Sequence, residues 1–363
     1  MWGALISQTG KELADICTDL NIYPNIVLST KKLEQLSPAF LKLVDDNRIN
    51  LIHIPLEQSK NSSILFKYLK TCNLVTLHGW LRIIPADICD VFNIYNGHPG
   101  DIVEYPELKG FNPQEKAYDL KLSTSGSVVH KVTSQVDDGP IVHRVITSIR
   151  NCDIDTVYDR LRYTSLIAWK LFFTKHLNCG SSKFAITGAH CTGKTTLVNA
   201  IQQIDTNNKY QYITSMTREA KKLGFQINEA GNDETQLYIL NKHLERLVIN
   251  SPCVLDRSLI DGYTYTKILY EAGNISEHVM KYAKSLLNVE YMNRYNKIFY
   301  LPPTLRLVND GLRSTEPEFR KHVINNFDHI VQCAGIFMPD LVTTIDGSVQ
   351  ERVCSANKYL NII

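Results

Sequence analysis

The chain has no C-x-x-C pair among its nine cysteines and no apolar run that approaches a membrane span. It also has no internal repeat, no low-complexity tract and no surplus of either charge. Each absence closes a class. Scattered, odd-numbered cysteines exclude a disulfide framework and the usual zinc spacings, and they fit reduced thiols in a cytoplasmic protein. Without a long apolar run or a charged-then-apolar opening, no membrane partner and no secretory route are expected. A net charge of +2, with both signs interspersed, argues against a nucleic-acid-coating surface and leaves small molecules as the expected partners.

What is present is length and alternation. The 363 residues suggest two domains, each able to bury its own core. In the first half, apolar runs at residues 4–6, 26–28, 51–54, 74–77 and 92–95 are separated by helical stretches, the spacing of a parallel α/β sheet. Residues 127–132 and 141–145 read as a hairpin around Asp137-Asp138-Gly139, so the sheet ends mixed. The polar stretch 179–182 reads as a linker between a domain at 1–178 and a second at 183–363. Five runs in the second half, at 184–187, 212–214, 253–256, 297–301 and 341–345, fit a three-layer nucleotide-binding domain with a parallel sheet.

Residues 188–195 read Gly-Ala-His-Cys-Thr-Gly-Lys-Thr, a complete G-x4-G-K-[ST] phosphate loop between an apolar strand and a helical stretch beginning at Thr196. Backbone N–H groups from Gly188 to Thr196 wrap phosphate at a helix N-terminus, with Gly188 and Gly193 permitting the close approach. Lys194 supplies charge to the transferring phosphoryl group, and Thr195 offers a hydroxyl to Mg²⁺. ATP and Mg²⁺ are the expected ligands. Asp256-Arg257-Ser258 ends a strand. Asp256 there can take a proton from an attacking hydroxyl, hold Mg²⁺, or simply cap the next helix, and Arg257 can grip an anionic substrate. Arg218 stands where an acceptor contact is reasonable. The arginine-bearing stretch through Arg306, Arg313 and Arg320 reads as a lid, with Arg313 over the nucleotide. This half resembles the nucleoside and nucleotide kinase branch of phosphate-loop proteins, and within it an AAA-type ATPase/kinase group that includes ribosylnicotinamide kinase domains.

In the first half, Asn96-Gly97-His98-Pro99 follows an apolar strand and Asp137 lies on the hairpin turn. Brought together, an amide can donate to an oxyanion, an imidazole can stabilise that charge or move a proton, and a carboxylate can hold the imidazole. Asn96-x-His98-Pro99, preceded by Gly79-Trp80-Leu81-Arg82-Ile83-Ile84 and followed by Ser127-Val128-Val129-His130 and Asp137-x-Gly139-Pro140, resembles the formyltetrahydrofolate-dependent formyltransferases, notably the glycinamide ribonucleotide group. The resemblance implies Asn96, His98 and Asp137 as catalytic residues. It also implies 10-formyltetrahydrofolate as donor, with Trp80, Leu81, Arg82 and Ile83 lining its pterin pocket.

Two departures concern the acceptor. The family's glycine- and asparagine-rich substrate-phosphate loop is here Ser7-Gln8-Thr9-Gly10-Lys11-Glu12, in which Gly10 and Lys11 still offer an anion contact. Acids also enter after the histidine at Asp101, Glu104 and Glu107. The expectation is an α/β protein of two domains, a bifunctional enzyme of nucleotide metabolism that formylates an amine and phosphorylates a nucleoside or nucleotide. The alternatives are a nucleotide- or folate-binding sensor with one inactive domain, or a formyltetrahydrofolate hydrolase fused to a kinase. Homodimerisation is left open.

Overall fold

The structure is a computed structural model and describes every residue except Ser215, residues 305–315 and Ile363. The chain divides into two compact units, Met1–Cys179 and Gly180–Ile363.

The first unit carries a seven-stranded mixed sheet. Strands β1 (Trp2–Ile6), β2 (Ile26–Ser29), β3 (Leu51–His53), β4 (Leu74–His78) and β5 (Ile94–His98) run parallel, and β6 (Thr124–Lys131) and β7 (Ile141–Ser148) complete it antiparallel. The order is β3-β2-β1-β4-β5-β6-β7. β1 and β4 are buried along their whole length, which is why they read as continuous apolar runs. The sequence placed a strand at 92–95, but β5 begins at Ile94 and runs through His98. Phe92 belongs to the end of the preceding helix, Ala86–Val91, and packs into the core against Phe66. Pairing with β4 extends through Leu77↔Asn96, so Asn96, Gly97 and His98 lie inside the strand instead of after it.

The helix Ile154–His176 packs across β6 and β7 and buries Trp169, Phe172 and Phe173 completely. Each such aromatic contributes roughly 1.5–3 kcal/mol of transfer free energy. Gly97 gives Trp169 its place, because a Cβ at that position would stand 2.3 Å from the indole Nε1.

The second unit is a five-stranded parallel sheet of β8 (Lys183–Thr187), β9 (Gln211–Ile213), β10 (Cys253–Asp256), β11 (Lys297–Tyr300) and β12 (Val342–Thr344), in the order β12-β11-β8-β10-β9. β8 is central, flanked by β10 and β11, so the loop that leaves it emerges beside the end of β10. The carboxyl ends of neighbouring parallel strands form the usual ligand crevice. Phe184, Ile186, Leu197, Val254, Phe299 and Leu301 close a core beneath it. Among the described residues no helix is long and apolar enough to cross a membrane.

Candidate functional sites

A cleft of about 840 Å³ in the first unit brings together Asn96, His98, Asp137, Gly10, Lys11 and the Trp80–Ile83 segment. Ser7 joins two of its walls. Its hydroxyl donates to Gly79 O at 2.8 Å and accepts from Leu81 N at 2.8 Å. Leu81 and Ile83 are exposed and give the cleft an apolar rim, while Trp80 turns inward and packs with the core. Arg82 donates to the carbonyl of Leu81. Gly10 caps the helix Lys11–Leu20 in a left-handed conformation, φ 72°, and makes no side-chain cap hydrogen bond to it. Lys11 is exposed at the same end, but Glu12 follows it in the first turn. Glu12 is bound by His78 Nδ1 at 3.2 Å and by the hydroxyl of Ser165 at 2.5 Å. Burial pushes the Glu12 carboxyl up, and these partners together with the charge of Arg162 bring its pKa below the ordinary value.

Asp137 is the centre of the polar cluster. It sits in the loop between β6 and β7 with left-handed backbone, φ 50°. Its carboxylate accepts from Gly110 N at 2.9 Å and lies 3.3 Å from His98 Nδ1, 3.3 Å from His130 Nε2 and 3.5 Å from Asn96 Nδ2. Burial alone would raise its pKa. The His130 hydrogen bond, the charge of His98 and the Gly110 N–H outweigh that and hold it down at about 2. His98 is buried, and its Nε2 donates to Leu108 O at 2.9 Å. Both ring nitrogens therefore face acceptors, an arrangement that suits a charged imidazolium. Burial works against the charge and sets the pKa below its ordinary value despite Asp137 and Leu108.

His130 was not singled out as a site residue by sequence reasoning. In the sequence it stands only at the end of the stretch 127–130, and the register Asn96↔His130 between β5 and β6 is what brings it to the site. Asn96 Nδ2 lies 3.3 Å from His130 Nε2, and His130 Nδ1 donates to Lys131 O at 3.0 Å. Asp101, read as a departure affecting the acceptor, is instead fully buried in a two-pronged pair with Arg144 at 2.7 Å and 2.7 Å. That pair anchors the segment leading to Leu108 and Gly110.

In the second unit the phosphate loop joins β8 to the helix Lys194–Ile204, whose N-terminus is capped by Gly193 at φ 88°. Lys194 is buried and its Nζ donates to Gly188 O and Ala189 O, both at 2.6 Å. A phosphate in the loop would have to take over those bonds. Thr195 Oγ1 donates to Asp256 Oδ2 at 2.7 Å, and Asp256 Oδ1 is buried with no hydrogen-bond partner among the described residues. Thr196 is exposed on the following turn. Asp256 therefore does not cap the next helix; Ser258 does, in a capping box with Asp261.

A pocket of about 100 Å³ beside the loop is lined by Thr195, Asp256, Arg257, Arg218, His190 and His243, among others. It thus gathers the sequence-predicted Arg218 and Arg257 with Asp256. Arg257 has left-handed backbone, φ 86°, and its guanidinium lies 5.5 Å from the Tyr265 ring centre and 3.8 Å from Asp261. Arg306 and Arg313 lie outside the described residues. Two arginines that sequence reasoning missed support the site from behind. Arg246 Nη1 donates to Asp256 O at 3.0 Å, and Arg352 Nη1 donates to Thr192 O at 2.8 Å. Lone arginines on helices carry no motif that would reveal them.

Residues 183–352 match a family model described as an AAA domain. The chain is 26% identical over 150 residues to formyltetrahydrofolate deformylase 2, mitochondrial, of Arabidopsis thaliana, a match covering 40% of this chain and 42% of that protein. It is 30% identical over 82 residues to formyltetrahydrofolate deformylase of Synechocystis sp., covering 22% and 28%. The chain thus spans less than half the length of these curated relatives. A crystal structure of phosphoribosylglycinamide formyltransferase from Anaplasma phagocytophilum is 22% identical, with a TM-score of 0.41, over 46% of this chain and 80% of that one. Part of the chain is thus similar to formyltetrahydrofolate deformylases, and residues 183–352 match the AAA-domain model.

Proposed function

We propose that the first unit transfers the formyl group of 10-formyltetrahydrofolate to an amine of a nucleotide-like metabolite, and that the second phosphorylates a nucleoside or nucleotide with Mg·ATP. The observation that carries the first part is the convergence of Asn96, His98 and Asp137 in one cleft with an apolar rim and a helix N-terminus. Its size suits a folate-sized donor. The acceptor amine attacks the formyl carbon, the carbonyl oxygen takes the negative charge, the bond from carbon to the folate N10 breaks, and the amine proton ends on N10. Asn96 Nδ2 donates to the oxyanion. His98, held at both nitrogens by Asp137 and Leu108 O, lines the site beside Asn96, and Asp137 fixes the orientation of His98 and His130.

In the second unit an acceptor oxygen attacks the γ-phosphorus and ADP leaves. Asp256, which lines the pocket and has one oxygen without a hydrogen-bond partner among the described residues, takes the proton of an attacking hydroxyl. The Thr195 hydroxyl and the Asp256 carboxylate form an all-oxygen donor set that suits Mg²⁺, which supplies charge neutralisation at the phosphates when bound. Lys194 moves from its own loop carbonyls to the phosphates.

The names of the curated relatives favour a second reading for the first unit, hydrolysis with water as acceptor. Mass spectrometry of the protein with 10-formyltetrahydrofolate and Mg·ATP, against nucleosides, nucleotides and amino-sugar nucleotides, separates the readings. A formylated or phosphorylated product supports the proposal. Formate release without added amine supports hydrolysis, and consumption of neither donor by the folded protein overturns both.

A further inference from the structure

The pocket beside the phosphate loop contains a buried polar atom, His243 Nε2, with no hydrogen-bond partner among the described residues. His243 lies on the helix Asp233–Leu247, which lays Gln236, Ile239 and His243 along one face at the spacing i, i+3, i+7. His243 is 1% exposed, and its Nε2 meets no donor or acceptor among the described residues. Gln236 on the same face is engaged, its Oε1 accepting from Thr266 Oγ1 at 3.1 Å. Buried polar atoms are nearly always paired, so an unpaired one in a ligand pocket marks a place where the ligand brings the partner.

Gly262, on the helix Leu259–Glu271, stands against that ring edge without a side chain of its own. A Cβ there would lie 3.0 Å from His243 Cδ2 and 3.4 Å from Nε2, and Gly262 lines the same pocket. Burial, followed by the charges of Arg246 and Arg257, holds the His243 pKa well below its ordinary value. The imidazole is neutral, with one N–H and one lone pair to offer. An anionic group is better served by Arg218 and Arg257, while Ile227, Ile239 and Leu269 give the pocket apolar surface for a ring.

We propose that His243 is a specificity-determining residue of the phosphoryl-acceptor pocket, where its Nε2 edge hydrogen-bonds an uncharged hydroxyl or ring-amide group of a nucleoside. This rests on the kinase reading of the second unit. A buried hydrogen-bonding residue discriminates strongly, because an acceptor lacking the matching group leaves it unpaired in the complex as well.

The test uses the full chain and the common ribonucleosides and deoxynucleosides as probes. Binding is measured by calorimetry with a non-hydrolysable ATP analogue, and turnover by transfer of labelled phosphate from ATP. His243→Leu should raise the KM and Kd of the accepted nucleoside about tenfold or more with the KM for ATP unchanged, and His243→Gln should recover part of that loss. His243→Leu should keep the wild-type melting temperature or exceed it, because replacing an unpaired buried polar group by an apolar one of similar size is neutral or stabilising. If wild type binds and phosphorylates a nucleoside while His243→Leu matches it, the His243 proposal is overturned and the kinase reading stands. If wild type binds a nucleoside without transferring phosphate, the kinase reading falls and the effect of His243→Leu on Kd decides the proposal. If no nucleoside binds, the proposal is overturned.

Discussion

Thr195 Oγ1 donates to Asp256 Oδ2 across 2.7 Å, tying the first turn after the phosphate loop to the end of β10. Replacing Asp256 by Asn keeps the size and an acceptor but removes the charge and the proton-accepting oxygen. Phosphoryl transfer should fall about 10²- to 10⁴-fold in kcat, with little change in melting temperature. Lys194→Ala should abolish the same activity. Formyl handling, assayed in the same preparations by loss of 10-formyltetrahydrofolate, should persist in both variants; its loss would mean that the two activities are coupled.

Gly97→Ala should destabilise the first unit by about 1–3 kcal/mol, because the new methyl meets the Trp169 indole at 2.3 Å. The strand must shift, and Asn96 and His98 shift with it, so formyl handling should drop as well. Urea denaturation and folate turnover measure the two effects. Adding Trp169→Leu should relieve the clash, and a double variant no better than Gly97→Ala would refute this account.

Acid should weaken the first unit in two stages. An unfolded carboxyl titrates near 3.9, whereas Asp137 is held to about 2. Its contribution is therefore complete above about pH 4 and is lost as the pH falls toward about 2. His98 acts earlier. Its pKa lies below the ordinary value, so below about pH 6.5 the unfolded chain binds a proton that the folded one binds less readily, and stability declines. Urea midpoints measured from pH 7 to pH 2 should show Asp137→Asn flattening the lower stage and His98→Gln the upper. Superimposable profiles would contradict the assignment.

Among the described residues Arg352 makes four hydrogen bonds: to Thr192 O at 2.8 Å, Gly347 O at 3.0 Å, Thr304 Oγ1 at 3.2 Å and Asp346 Oδ1 at 3.2 Å. Arg352→Ala leaves the Thr192 carbonyl without this donor and should cost about 1–3 kcal/mol. It should also raise the KM for ATP several-fold, since Thr192 belongs to the loop that wraps the phosphates. Arg352→Lys, with a single cationic nitrogen, should recover little. An unchanged ATP affinity in Arg352→Ala would show that the loop holds its shape without this anchor.

The strands were legible because their signal is local. Buried parallel strands read as continuous apolar runs, and β1, β4, β8 and β10 announced themselves in this way. The phosphate loop was legible because its chemistry lies within eight consecutive residues. What escaped depends on partners far away in the chain. His130 enters the Asp137 cluster only through strand pairing, and Arg352 reaches Thr192 across 160 residues. Asp101 is an instructive miss, since an acid in a loop after a histidine reads as chemistry until its buried pairing with Arg144 is seen. The boundaries of β5 were misplaced because Phe92, though apolar and extended, caps the preceding helix and packs into the core, and the strand begins only at Ile94.

The left-handed backbone of Asp137 also limits how this protein can drift. At φ 50° the chain tolerates Gly, Asn and Asp far better than branched residues, so position 137 is constrained by its backbone before any chemistry is required of it. A saturation library selected for folding alone would keep Asn and Gly there beside Asp. A lineage released from catalysis would thus lose the carboxylate through substitutions that leave the loop in place, and the fold would outlast the reaction.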